Sequence, residues 1–160
     1  MIHWKRFIQL ILLATTTLFF LKHSAEVPNS SVSELEISLS TPLQEFPNSR
    51  NIFGELPVFY FYSFENQCRF VLSEFAVRAA GRETLIQLPR GSKLRMKILG
   101  SSKALLNQPD AQVYVYEIIS EQNTVFDLNA YNKNRKFKGY IQVLISLVIL
   151  LFFFKRALAK

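Results

Sequence analysis

Residues 88–99 read LPRGSKLRMKIL. Pro89 fixes φ and Gly91 supplies a positive φ that other residues resist, so the segment opens with a turn. Beyond the turn Leu94, Met96 and Ile98 alternate with Lys93, Arg95 and Lys97. A period of two marks a strand with one buried and one open face. Here the open face is cationic.

The neighbours of this strand extend the pattern. Upstream, Leu35, Ile37 and Leu39 alternate with Glu34, Glu36 and Ser38. A loop rich in turn formers follows, TPLQEFPNSRN (41–51), and then the aromatic run PVFYFYSF (57–64), which is β-prone. A turn is expected over Glu65–Gln67. CRFVLSEFAVRA (68–79) is expected to pair with the aromatic run as a hairpin, although part of it has helical spacing. Gly81 suits a turn, and Thr84–Leu88 reads as a short strand. Downstream, Ser101 or Ser102 caps a helical turn through Leu106, which Pro109 and Asp110 break. VYVYEII (113–119) is another strand, and Thr124–Leu128 a short one after a turn. Asn129 is expected to cap a final helix. With connections too short for crossovers, the strands are expected to be antiparallel. The middle of the chain therefore predicts a small mainly antiparallel β domain, a sandwich or partly open barrel.

The two ends are of different character. Phe7–Leu21 reads FIQLILLATTTLFFL and Tyr140–Phe154 reads YIQVLISLVILLFFF, each 15 residues without a charge. At 1.5 Å per residue each covers about 22 Å, against a hydrocarbon core of about 30 Å. Snorkelling Lys5, Arg6, Lys22, Lys155 and Arg156, with Trp4 and Tyr140 at the headgroups, are expected to close the gap. The fold class expected is a membrane protein with two transmembrane α-helices flanking the β domain. The alternative for the first run is a cleaved signal peptide. Cutting after Ala25 would put His23 at the −3 position, so an uncleaved anchor is preferred. Lys5 and Arg6 ahead of the first run place both termini in the cytoplasm and the middle outside it, at an inner membrane. Lys133, Arg135, Lys136 and Lys138 run against that bias, and are suited instead to anionic headgroups. The division expected is a membrane helix over 1–24, a linker and first strand over 25–50, the β domain over 51–128, and a membrane helix with basic flanks over 129–160.

Composition narrows the chemistry. Over 160 residues, Lys and Arg number 19 and Asp and Glu 12, a formal net charge of +7. Hydrophobic residues make up 49%, too many for a disordered chain. One Cys excludes an intrachain disulfide, and two His with one Cys disfavour a zinc site. No cofactor is expected. His3 and His23 flank the first apolar run, so no His lies in the folded middle to serve a triad. Glu55, Glu65 and Glu74 could in principle form a carboxylate pair, but their spacing gives no support. Five isolated glycines build no phosphate loop. The expectation is a non-enzyme.

Four features remain. Cys68 reads as a small buried hydrophobe, or else as an intermolecular disulfide. Arg90, Lys93, Arg95, Lys97 and Lys103 read as a solvated strand face that guards a sheet edge, or as an anion- or lipid-headgroup-binding face. Thr15, Thr16, Thr17 and Ser146 are expected to bond their own helix backbone. The aromatics of PVFYFYSF are expected in the core rather than as base-stacking platforms, and no nucleic-acid partner is expected.

With Ile52-Phe53-Gly54, LPRGSKLRMKIL, VYVYEI and DLNAYNKN (127–134) in this order, the chain resembles a loose group of small bacterial membrane proteins that carry a short β domain between two membrane helices. The resemblance implies a two-span topology and no catalytic residues. The function expected is an interaction or accessory module of the envelope, with the lipid bilayer and a membrane protein or a second copy as partners.

Overall fold

The structure is a computed structural model, described here for residues 2–46, 58–121 and 123–158. The Ile52-Phe53-Gly54 motif, Pro57 and Glu55 lie outside the described residues. Seven strands form one sheet: β1 (Val32–Ser38), β2 (Gln44–Glu45), β3 (Phe59–Phe61), β4 (Arg69–Leu72), β5 (Lys93–Leu99), β6 (Gln112–Ser120) and β7 (Thr124–Phe126). Their order is β1-β5-β6-β4-β3-β2, with β7 also on β6. Four helices accompany them: α1 (Ile2–His23), α2 (Glu74–Ala80), α3 (Arg82–Ile86) and α4 (Leu128–Leu158). Contacts divide the chain into two units, Val27–Asn134 and the pair Met1–Glu26 with Arg135–Lys160.

The alternating segments form strands because period two lets one face be buried. Register sets Leu35 against Met96 and Ile37 against Leu94 on one face of β1 and β5. Met96 in turn faces Ile118 of β6. Leu94, Met96, Ile98, Val113 and Ile118 are almost wholly buried. Phe61 of β3 stacks on Phe70 of β4 at 5.4 Å between ring centroids, both rings fully enclosed. Such a pair contributes about 1 kcal/mol beyond its burial. Gly91 carries the expected positive φ, +88°, in the turn before β5.

Three sequence expectations are corrected. First, the strands form one mixed sheet and not two antiparallel layers: β4 and β6 run parallel, Phe70 beside Val113. A parallel pair needs a long crossover, and α2, α3 and β5 supply it. Second, residues 68–79 split. Arg69–Leu72 pairs with β3, but Ser73 leads into α2, whose Ala76 and Val77 are buried one helical face apart from solvent. Gly81, at φ +80°, ends α2 and starts α3, so Thr84 and Leu85 are helical and not in a strand. Third, α4 starts before Asn129. Asp127 is its cap, Oδ1 accepting the Ala130 N–H at 2.6 Å.

The membrane-spanning reading is also overturned. No helix among the described residues is long and apolar enough to cross a membrane. The uncharged runs cover about 22 Å of a ~30 Å layer. Extending them brings in Lys5, Arg6 and Lys22 in α1, and Lys136, Lys138 and Lys155 in α4. The two-span topology, the transmembrane helices and the assignment of cytoplasmic termini and an outward domain at an inner membrane all fall together, because each followed from two crossings.

In the helical unit, α1 and α4 approach closely at Gly139, where a Cβ would collide with the Ser24 side chain. Thr15, Thr16 and Thr17 bond carbonyls one turn back, at 2.6 to 2.9 Å, and Ser146 bonds Gln142 O at 2.9 Å, as expected of hydroxyls in helices.

Cys68 lies in the β unit with no exposed surface, and burial pushes its thiol up to about 11. An interchain disulfide would require opening the core. We expect the native chain to run as a monomer on non-reducing electrophoresis. We also expect Cys68 to react with a thiol reagent only after denaturant unfolds the chain; rapid labelling of the native protein would contradict the placement.

Candidate functional site

The open face of β1, β5 and β6 is where the predicted basic strand lies. Its charges come in stripes. Register sets Glu34 opposite Lys97, Glu36 opposite Arg95 and Ser38 opposite Lys93. On the other side of β5, Lys97 faces Glu117 of β6. Lys97 Nζ lies 3.0 Å from Glu117 Oε1, with both side chains largely enclosed. Glu117 Oε2 also accepts the Leu128 N–H at 3.0 Å, at the first turn of α4. A carboxylate at a helix N-terminus is favoured by the helix dipole and by the bare N–H groups there.

The five residues of the predicted anion-binding group therefore have different fates. Lys97 is committed to Glu117. Arg90 lays its guanidinium over the Phe64 ring, 5.6 Å from the centroid. Lys103 is exposed on a 3-10 turn over Gly100–Leu105, away from the β5 stripe in sequence. Lys93 and Arg95 line a cavity of about 500 Å³. Its wall also holds Glu36, Glu65, Ser120 and Glu121, so the site is of mixed charge. The structure sets Lys93, Arg95 and Lys97 in one stripe of β5, of which Lys93 and Arg95 line the cavity and Lys97 is taken by Glu117.

The second basic cluster is divided too. Lys133 is exposed in the β unit, whereas Arg135, Lys136 and Lys138 belong to the helical unit. Lys136 Nζ contacts Glu26 Oε1 at 2.6 Å. That hydrogen bond holds its ammonium above the ordinary lysine value.

Glu65, a candidate for carboxylate chemistry, has a structural job. Both its oxygens accept the Ser38 N–H at 2.9 Å. Partial burial raises its pKa, but bonds from Ser38 and Ser63 outweigh this and leave the carboxyl below its ordinary value. Among the described residues no three His, Cys, Asp or Glu side chains converge on a point.

One feature escaped the sequence reading. Arg69 sits among three rings, 5.1 Å from Tyr60, 5.5 Å from Phe46 and 5.8 Å from Tyr62. Its Nε donates to Tyr62 Oη at 3.0 Å, and this bond holds the guanidinium above its ordinary value. The signal was available in the alternation of FYFY: Phe59 and Phe61 go to the core, and the hydroxylated rings between them go to the other face. These rings are taken up by an arginine of the same chain.

The chain matches no family model, no curated protein and no solved structure.

Two predictions follow from this geometry. Glu117→Ala leaves Lys97 and the Leu128 N–H without their partner. It should lower stability by about 2–3 kcal/mol in urea melts, whereas Glu121→Ala at the exposed rim should cost under about 0.5 kcal/mol. Glu65→Gln tests the pH dependence. The folded pKa is lowered, so the wild-type advantage over the variant should be full above the ordinary value of 4.5 and shrink as pH falls through the folded value. A constant difference between the two melts across that window would contradict the assignment.

Proposed function

We propose that the chain is a non-enzymatic accessory module whose helical unit attaches to lipid and whose β unit meets a partner. The observation that carries this reading is the amount of apolar side chain left open on α1 and α4. Leu12 is 68% exposed and Phe152 65%. Ile8, Ile11, Leu18 and Leu21 on α1, and Leu144, Ile145, Leu147, Val148 and Leu151 on α4, are exposed as well. Burying a Leu or Ile side chain is worth about 1.5–3 kcal/mol relative to leaving it in water. Large apolar side chains left open in this number mark an interaction surface and not a neutral one.

Lipid suits the patch because exposed cations accompany it. Lys22 on α1 and Lys155 on α4 are both open. Each Lys near an anionic headgroup gains about 1 kcal/mol. The reading requires contact with lipid and does not require a crossing. The alternative, an anion- or headgroup-binding face built by Arg90, Lys93, Arg95, Lys97 and Lys103, is less favoured, because Lys97 is spent on Glu117 and carboxylates share the cavity with Lys93 and Arg95.

Vesicle flotation of the full chain tests the proposal. We expect it to float with neutral phosphatidylcholine vesicles even at high salt, with a larger fraction when phosphatidylserine is added at low salt. Leu12→Lys combined with Leu144→Lys should reduce flotation on neutral vesicles several-fold. A chain that stays at the bottom of the gradient with both vesicle types overturns the reading. Binding that needs anionic lipid and vanishes in high salt would favour the basic face instead.

A further inference from the structure

We propose that the outer edge of β1 takes an added strand from a partner, an extended segment that alternates Lys or Arg with apolar residues. In a strand, successive residues turn their N–H and C=O to opposite sides. Leu39 turns inward: its N–H donates to Ser92 O at 2.9 Å and its C=O accepts from Gly91 at 2.8 Å. Ser38 turns outward. Its N–H reaches Glu65, and its C=O accepts the Phe64 N–H at 3.0 Å. Two and four residues back, Glu36 and Glu34 have the same outward aspect. At the far end the Val32 N–H is taken by Asn29 O. Among the described residues nothing pairs with the N–H or C=O of Glu34 and Glu36 on this side, and β1 ends the sheet. The edge is thus closed at one end by the local Val32 turn and at the other by an antiparallel bridge from Leu39 to Ser63 beyond β3, and it is open only over Glu34–Glu36.

Charge decides which segment fits. Along the open face the stripes alternate: Glu34 and Glu36 on β1, then Lys93, Arg95 and Lys97 on β5, then Glu117 on β6. A basic strand laid beside β1 continues that order. Its side chains would stand beside Glu34 and Glu36, with the Glu65 carboxylate at the end of the edge. The apolar side chains of the same segment would fall beside half-buried Leu35 on the opposite face. A second copy of the chain fits poorly, because two antiparallel β1 strands bring Glu34 and Glu36 against each other, and like charges directly opposite are destabilising. Edge carboxylates that keep copies apart are a common safeguard. The same carboxylates select a basic guest, and strand addition supplies the affinity through the main chain.

The test uses the full chain and a fluorescent synthetic peptide as long as β1, alternating Lys and Val, with a Glu/Val peptide as control. We expect the Lys/Val peptide to raise anisotropy on binding and the Glu/Val peptide to bind at least roughly tenfold more weakly. Glu36→Pro removes an outward N–H and leaves the bonds to β5 in place, since those come from the odd-numbered residues; it should abolish binding while the far-ultraviolet circular dichroism stays that of wild type. Glu34→Lys with Glu36→Lys should reverse the preference, and it decides the matter if the proline variant fails to fold. The proposal is overturned if neither peptide binds, if both bind alike, or if binding survives in a folded Glu36→Pro protein. None of these readouts involves lipid, so their failure leaves the flotation result standing.

Discussion

The Glu117 carboxylate is the point on which the β unit turns. It sits on β6, takes the ammonium of Lys97 from β5, and accepts the first free N–H of α4 at Leu128. Three elements that are distant in sequence are fixed by one side chain. The register of β5 and β6 shifts between Lys97 and Ile98, which leaves Tyr116 an extra residue in β6. Tyr116 is buried and meets the Tyr131 ring of α4 at 5.1 Å. The bulge, the ion pair and the helix start are therefore one arrangement. A bulge re-aims side chains at the cost of ladder bonds, and here the re-aimed groups hold the last helix of the chain.

This arrangement also explains why the basic strand is less basic than its sequence. LPRGSKLRMKIL has four cationic residues close together, and read alone it presents an anion-binding face. Its neighbours in space are Glu34, Glu36 and Glu117, which lie 20 or more residues away in sequence. Half-buried ions persist only when paired, so the burial of Lys97 implies a carboxylate partner before one is identified. The partner's identity depends on strand order, which no local pattern reveals. Arg69 presents the same problem. Its three aromatic neighbours are Tyr60 of β3, Tyr62 just after it and Phe46 just after β2, and the pairing of β3 with both β2 and β4 brings them round the guanidinium.

Much of the sheet was legible because period two is a local signal. β1, β5, β6 and β7 fall where alternation placed them, and Gly91 has the left-handed φ its turn demanded. What was not legible depends on competition between local and distant terms. CRFVLSEFAVRA carries β-branched and aromatic residues throughout, yet half of it is α2, because Ala76 and Val77 at helical spacing reach the core once Ser73 has broken the strand. The parallel pairing of β4 with β6 uses that helix as the first part of its crossover, which α3 and β5 complete. The apolar ends were misjudged on length. Their composition suits lipid, but an uncharged run of 15 residues is short for a crossing.

Two surfaces are consequently left with unmet demands, and they differ in kind. On α1 and α4 the deficit is apolar area in water, which is non-directional and satisfied by any apolar phase. On β1 the deficit is directional: main-chain N–H and C=O groups spaced for a strand, flanked by carboxylates. Water can satisfy those groups, so the edge is stable when vacant, whereas the apolar faces carry an unfavourable hydration free energy for as long as they stay uncovered. The helical unit should then be occupied whenever a suitable surface exists, and the β1 edge only when a partner of the right charge is at hand. On the proposed reading, a module built this way separates where it resides from what it holds.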